Sequence, residues 1–250
     1  MIARAGHPNP IDASGTDERL WAAWPWLSTL PGAGLARLSG LGSAVIVAAH
    51  PDDEVLGIGG LISMLAASRA RLRLVAVTDG ERSHRGHAAP ASLARRRTVE
   101  TAAALHALGA EPAEVIRLGL PDRRVAGREN ELAEALAPLV AGFDVCLAPW
   151  EHDMHPDHEA AGRAARRAAP GSLFFYPVWM WHWAVPGDPR VPWNRALRVP
   201  LPPRATARKR AAITCFTSQL TDRGHGLGPV LTPGVIAHFT RAMEVLLRSR

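Results

Sequence analysis

Lysine is all but missing from this chain of 250 residues: of 29 basic residues, Lys209 alone is a lysine. With so many alanines alongside, that points to the coding bias of a GC-rich genome, and the net charge of +6 takes the same reading. Runs such as "LARRRTVE" and "RAARRAA" fall in helical patterns, where a solvated face accounts for them. Aromatic and basic residues do not interleave and no known binding module accompanies the charge, so no nucleic-acid partner is expected. Cysteine is scarce as well. Cys146 and Cys215 make no disulfide framework, and a reducing cytoplasm is the expected location. No apolar run approaches the roughly 18 residues of a membrane helix, and "MIARAGHPNPIDASG" lacks the apolar core of a signal peptide. Internal repeats are absent too. A globular, soluble chain without a membrane span is expected, with a single domain over 1–250.

What is present is an alternation of short β-rich apolar runs with Ala/Leu-rich helical stretches, the pattern of parallel β-α-β units. Strands are expected near 43–49, 72–77, 114–118, 143–148 and 173–178. Helices are expected near 57–70, 92–108 and 129–141, and from Pro156, a residue suited to a first turn. The fold class is therefore α/β: a Rossmann-like, doubly wound, mostly parallel sheet. Residues 1–40, with Trp21, Trp24 and Trp26, read as a helical lead-in. Residues 177–250 read as a C-terminal extension, first a proline-rich excursion and then helices that include "PGVIAHFTRAMEVLLRS".

In a doubly wound sheet, ligands bind beyond the carboxyl ends of the strands, where strand order reverses. With the order 3-2-1-4, that point lies between the first and fourth strands. The first strand runs into "AHPDDE", residues 49–54, and the fourth into "APWEHDMHPDH", residues 148–158. His50, Asp53 and one histidine of "HPDH" would make a two-imidazole, one-carboxylate site that leaves a position for water. A metal lowers the pKa of such a water, and Asp52, next to a ligand, is placed to take its proton. Asp157 is expected to orient the remaining imidazole and favour its charged form.

The pair "AHPDDE" and "HPDH" resembles the PIG-L/LmbE-type zinc-dependent N-deacetylase family. Weaker matches at "TDGE", "RTVE", "LGLPD" and "RKRAAITCFTSQ" extend the resemblance over most of the chain. It implies a Rossmann-like enzyme that removes acetyl or acyl groups from amino sugars or glycoconjugates. Carried over residue by residue, it implies that His50, Asp53 and His158 bind Zn2+, with Fe2+ or another divalent metal as the alternative. Asp52 would be the base, His155 an acid or oxyanion stabiliser tuned by Asp157, and Arg97 and Asp122 contacts to substrate hydroxyls. Some members carry a tyrosine two residues before the first histidine of "HPDH"; this chain has Asp153 there.

Two other readings compete. Two histidines and a carboxylate also describe the triad of a non-haem Fe(II) oxygenase, but that spacing usually sits on an all-β jelly roll. A catalytically silent glycan-binding module would not require the acids. Asp52, Asp53 and Glu54 also suit a helix start, and Glu54 is read as that alone. "GIGG" falls inside a helix behind three acids that would repel a pyrophosphate, so its glycines are read as close helix-to-sheet packing. Part of the tryptophan-rich stretch Trp179–Trp193 is assigned to substrate recognition, and the C-terminal helices to closing the domain or to a homo-oligomer contact.

Overall fold

The apolar run ahead of the acidic cluster forms β1 (Ser43–Ala48), whose six residues are all buried. In the computed structural model, which describes residues 14–33, 40–84, 90–111, 113–169, 173–224, 226 and 228–249, β1 is an interior strand of a seven-stranded sheet. β2 (Arg71–Ala76), β3 (Glu114–Arg117), β4 (Val145–Pro149) and β5 (Leu173–Tyr176) join it in parallel, in the order β3-β2-β1-β4-β5. The expected order 3-2-1-4 is present, so the loops after β1 and β4 share one end of the sheet. The parallel, helix-bearing sheet is not a jelly roll.

Helices cover both faces. α3 (Asp53–Ala67) and α4 (Pro90–Leu108) pack with α8 (Pro203–Ile213), whereas α5 (Glu129–Val140) packs on α6 (Pro156–Ala168). Alternation along β5 separates the two sides: the Tyr176 ring lies against Gly57 of α3, and the Phe175 ring beneath Arg166 of α6. A Cβ on Gly57 would overlap the Tyr176 ring, whose hydroxyl donates to the Val47 carbonyl at 2.6 Å. Gly57 of "GIGG" thus lets the helix approach the sheet, while Gly59 and Gly60 make room for Lys209 and Leu201. α3 begins four residues before its expected start, because Asp53 and Glu54 form its first turn.

The C-terminal part departs from expectation. After α9 (Thr217–Leu220), the stretch expected to be helical gives a short α10 (Pro233–Ala237) and then β7 (Met243–Arg248), antiparallel to both β5 and β6 (Ala196–Pro200). Val245, Leu246 and Leu247 are all buried inside the sheet, so the segment shows no strand alternation. Residues 177–203 also include α7 (Met180–Trp183). Of the lead-in, α1 (Glu18–Ala22) and α2 (Trp26–Thr29) are described; residues 1–13 and 34–39 lie outside the described residues. The buried Trp21 packs edge-on to Trp181 at 5.1 Å, and its indole N–H donates to the Trp181 carbonyl. Trp24 and Trp26 pack on Trp193. Trp181 and Trp193 therefore hold the lead-in to the body. No helix among the described residues is long and apolar enough to cross a membrane.

Candidate metal centre

His50 opens the turn between β1 and α3, Asp53 opens α3 itself, and His158 lies in the first turn of α6. These three meet although 108 residues separate the two histidines. His50 Nδ1 and His158 Nε2 are 3.2 Å apart. Asp53 closes a triangle, with Oδ1 3.2 Å from His158 Nε2 and Oδ2 3.4 Å from His50 Nδ1.

The far nitrogen of each ring faces carboxylates. His50 Nε2 lies 3.2 Å from Asp157 Oδ2 and 3.3 Å from Asp122 Oδ1, and His158 Nδ1 lies 2.8 Å from Asp153 Oδ2. Ionised carboxylates only accept hydrogen bonds, so the far nitrogens carry the protons and the near ones turn lone pairs towards each other and towards Asp53. Such an arrangement requires a proton or a cation in the middle. Without a cation it draws protons. Burial opposes charge on His158, but Asp53 and Asp153 outweigh it and raise the pKa to about 9; Asp122, Asp157 and Asp53 raise His50 in the same way. Three donors bound tetrahedrally to one zinc stand about 3.3 Å apart, so the triangle has the dimensions and the donor set for one such ion.

Asp153 is the residue that sequence reasoning missed. Fully buried, it accepts the backbone N–H groups of Trp179 (2.9 Å) and Met180 (2.8 Å), shares that of Val178, and receives the proton of His158. Trp183 donates its indole N–H to the Asp153 carbonyl. Part of the tryptophan-rich stretch thus braces the loop that carries the site. The only signal in the sequence was a carboxylate two residues before "HPDH".

Asp157 corrects an expectation. Its carboxylate accepts the N–H groups of Arg123 (2.7 Å) and Val125 (3.1 Å) and faces His50; what reaches His155 is its backbone N–H, donated to His155 Nδ1 at 3.3 Å as the cap of α6. His155 therefore carries its proton on Nε2. Burial and the neighbouring imidazoles of His158 and His50 push its pKa well below the ordinary value, opposite to the charged form expected. Its ring lies 4.8 Å from that of His50 and 4.7 Å from that of His158, and a nitrogen from each of the three rings can be drawn within 4.8 Å of the others.

Arg97 also sits elsewhere than expected. It is 2% exposed, and its guanidinium donates to the Gly80 and Pro51 carbonyls and, at 3.1 Å, to Asp52 Oδ2. It lies behind Asp52, with no exposed donor to offer a sugar. Gly80, at φ +63°, makes room for it, because a Cβ there would overlap the guanidinium. Asp122 is buried against His50 and accepts the Arg82 N–H at 2.8 Å. Burial raises the Asp52 carboxyl to about 7 despite the attraction of Arg97. Glu54 is pushed up to about 8 by burial, and its Oε2 accepts the Asp52 N–H. The backbone is strained here: of the four non-glycine residues with positive φ among the described residues, Asp52, Arg123 and Met154 all belong to this site.

Comparison with known proteins converges on these loops. Residues 45–169, from β1 to the end of α6, match the family model described as PIG-L: GlcNAc-PI de-N-acetylase. The 1D-myo-inositol 2-acetamido-2-deoxy-alpha-D-glucopyranoside deacetylase of Streptomyces avermitilis is 32% identical over 203 residues, 68% of this chain and 66% of that protein. Deacetylase 1 of the same description from Catenulispora acidiphila is 32% identical over 152 residues, 50% of this chain and 47% of that protein. The matched stretches thus span about two thirds and about half of these relatives. Among solved structures, the conserved protein TT1542 from Thermus thermophilus superposes with a TM-score of 0.60 at 28% identity, over 84% of this chain and 95% of that one. The N,N'-diacetylchitobiose deacetylase of Pyrococcus horikoshii shares the fold, with a TM-score of 0.54 at 17% identity over 80% and 79% of the two chains. The family match covers half the sequence and includes every residue of the triangle: the chain belongs to the PIG-L family.

Proposed function

We propose that the protein is a metal-dependent amidohydrolase that removes an N-acetyl or N-acyl group from an amino sugar or glycoconjugate, with zinc as the metal. The observation that carries this reading is the triangle of His50 Nδ1, His158 Nε2 and Asp53, with a carboxylate behind each imidazole. Deacetylase relatives with N-acetylated sugar substrates support the substrate class.

A divalent cation held there supplies polarisation of the amide carbonyl and a lower pKa for the attacking water. Asp52 takes that water's proton as the oxygen attacks the carbonyl carbon. With its carboxyl raised to about 7, Asp52 is matched to neutral pH both to accept the proton and to return it to the departing amine. Arg97 fixes the orientation of Asp52 from behind. His155, neutral and protonated on Nε2, donates to the oxyanion that develops as the carbonyl becomes tetrahedral. Asp122 and Asp157 hold the His50 ring, and Asp153 the His158 ring.

Acetate release over a panel of N-acetylated amino sugars tests the proposal. Release by the zinc-loaded protein, abolished by a chelator and restored by zinc, is expected. Absence of release after loading with zinc, iron, manganese or cobalt overturns it, and oxygen consumption with Fe(II) and 2-oxoglutarate would replace it with an oxygenase.

A further inference from the structure

The loop after β4 serves two places. Asp153 and His155 belong to the centre described above, whereas Trp150, Glu151 and His152 line a separate cavity of about 230 Å³. At ~30 Å³ per water that is room for roughly seven waters, enough for a group the size of a monosaccharide. Four arginines from three parts of the chain converge on it: Arg166 of α6, Arg190 and Arg195 from the segment before β6, and Arg248 at the end of β7.

Two of these are balanced. Arg166 pairs with Glu151 and lies over the Phe175 ring, and Arg190 forks onto Asp188 (2.6 and 2.9 Å) while lying 4.5 Å above the Trp183 ring. Among the described residues no carboxylate pairs with Arg195 or Arg248. A concavity that gathers four guanidinium groups, leaves two of them without an acid and sets a tryptophan and a phenylalanine in its wall suits a bidentate oxyanion on a ring-sized body. We propose that this cavity is a binding site, distinct from the metal centre, for a sugar-sized ligand carrying a phosphoryl or carboxylate group. The guanidinium groups recognise the anion; the Trp150 and Phe175 rings, buried against Trp183 and beneath Arg166, form the rigid backing on which the arginines rest. The site does not depend on the hydrolytic reading.

Calorimetric titration of the zinc-loaded protein at fixed ionic strength, with glucose 6-phosphate, glucuronate and glucose as probes, tests it. Saturable binding of at least one of the two acids and none of glucose is expected; which acid binds more tightly distinguishes a phosphoryl from a carboxylate site. The double variant Arg195→Gln/Arg248→Gln should weaken that binding at least tenfold, each single variant part-way, with a wild-type circular dichroism spectrum. The metal-ligand variant Asp53→Asn should bind as the wild type does. Binding of neither acid, equal binding by the double variant, or loss of binding in Asp53→Asn, which would place the ligand at the metal centre, overturns the proposal.

Discussion

Replacing Asp153 by asparagine changes one oxygen into an NH2 group inside a fully buried cage of donors. Oδ2 serves His158 Nδ1 and the Trp179 N–H, and Oδ1 serves the Met180 N–H. The less damaging rotamer keeps the carbonyl on His158 and strands the Met180 N–H against a donor. An unsatisfied buried N–H costs about 1–3 kcal/mol, and the remaining bonds lose their charge assistance, so a total of about 2–4 kcal/mol is expected. For a chain of this length that is a fall of roughly 4–16 °C in Tm. The second effect is on metal. A neutral amide polarises the His158 ring less than a carboxylate does, and loss of such a partner weakens metal affinity about 10–100-fold. Thermal melting by circular dichroism and zinc competition against a chromophoric chelator read the two effects separately. A variant that melts lower yet binds zinc as tightly as the wild type would refute the role of Asp153 behind His158.

The two histidines of "HPDH" should behave differently: His155→Ala keeps its metal and loses about 10²–10³ in turnover, the cost of one oxyanion donor, whereas His158→Ala loses the metal, as elemental analysis beside kinetics would show. Asp52→Asn keeps the metal and loses about 10²–10⁴ in kcat, the range of general base catalysis. Gly57→Ala drives a methyl group into the Tyr176 ring and should cost about 1–3 kcal/mol by overpacking, read as a lower denaturation midpoint. Burial raises the Glu18 carboxyl, but His238 and Arg241 outweigh it and hold its pKa below 4.5. A depressed acid stabilises above its unfolded pKa and loses that contribution as pH falls through the folded value. The wild type should therefore melt above Glu18→Gln at pH 7, with the gap closing towards pH 3.

How much of this could be read in advance depended on where the information lies along the chain. The triangle of His50, Asp53 and His158 was legible because its members follow two buried strands whose order the β-α-β pattern implies. The residues behind it were not. Arg97 sits in a helix whose pattern resembles a solvated face, and only the glycine turn at Gly80 and the bend at Pro51 bring carbonyls to its guanidinium. Adjacency in sequence ties Asp157 to His155, whereas the cap geometry at His155 turns its carboxylate away, onto the amides of Arg123 and Val125. Residues 243–248 resemble a helix in sequence because a strand buried on both faces has no alternation to show.

β7 lies between β5 and β6, although β6 comes earlier in the chain. During synthesis, therefore, β6 emerges with only the short bridge from Gly32 to Arg198 beside it, and its place in the sheet waits until residues 243–248 follow it. Those residues also carry Glu244, whose carboxylate accepts the Gly60 and Leu61 N–H groups and the Lys209 ammonium. The two amides fall just past Ile58, where α3 departs from helical geometry, so Glu244 acts as a cap for the second half of the helix that begins with Asp53. A nascent chain that ends before Met243 leaves those amides and the chain's single lysine buried without a partner, or keeps them in water and the helix unset. Assembly of the centre is in this way coupled to the arrival of a strand almost 200 residues downstream of Asp53, and a ribosome-stalled series crossing residues 242–248 should show protease resistance of α3 appearing only after Glu244 has emerged.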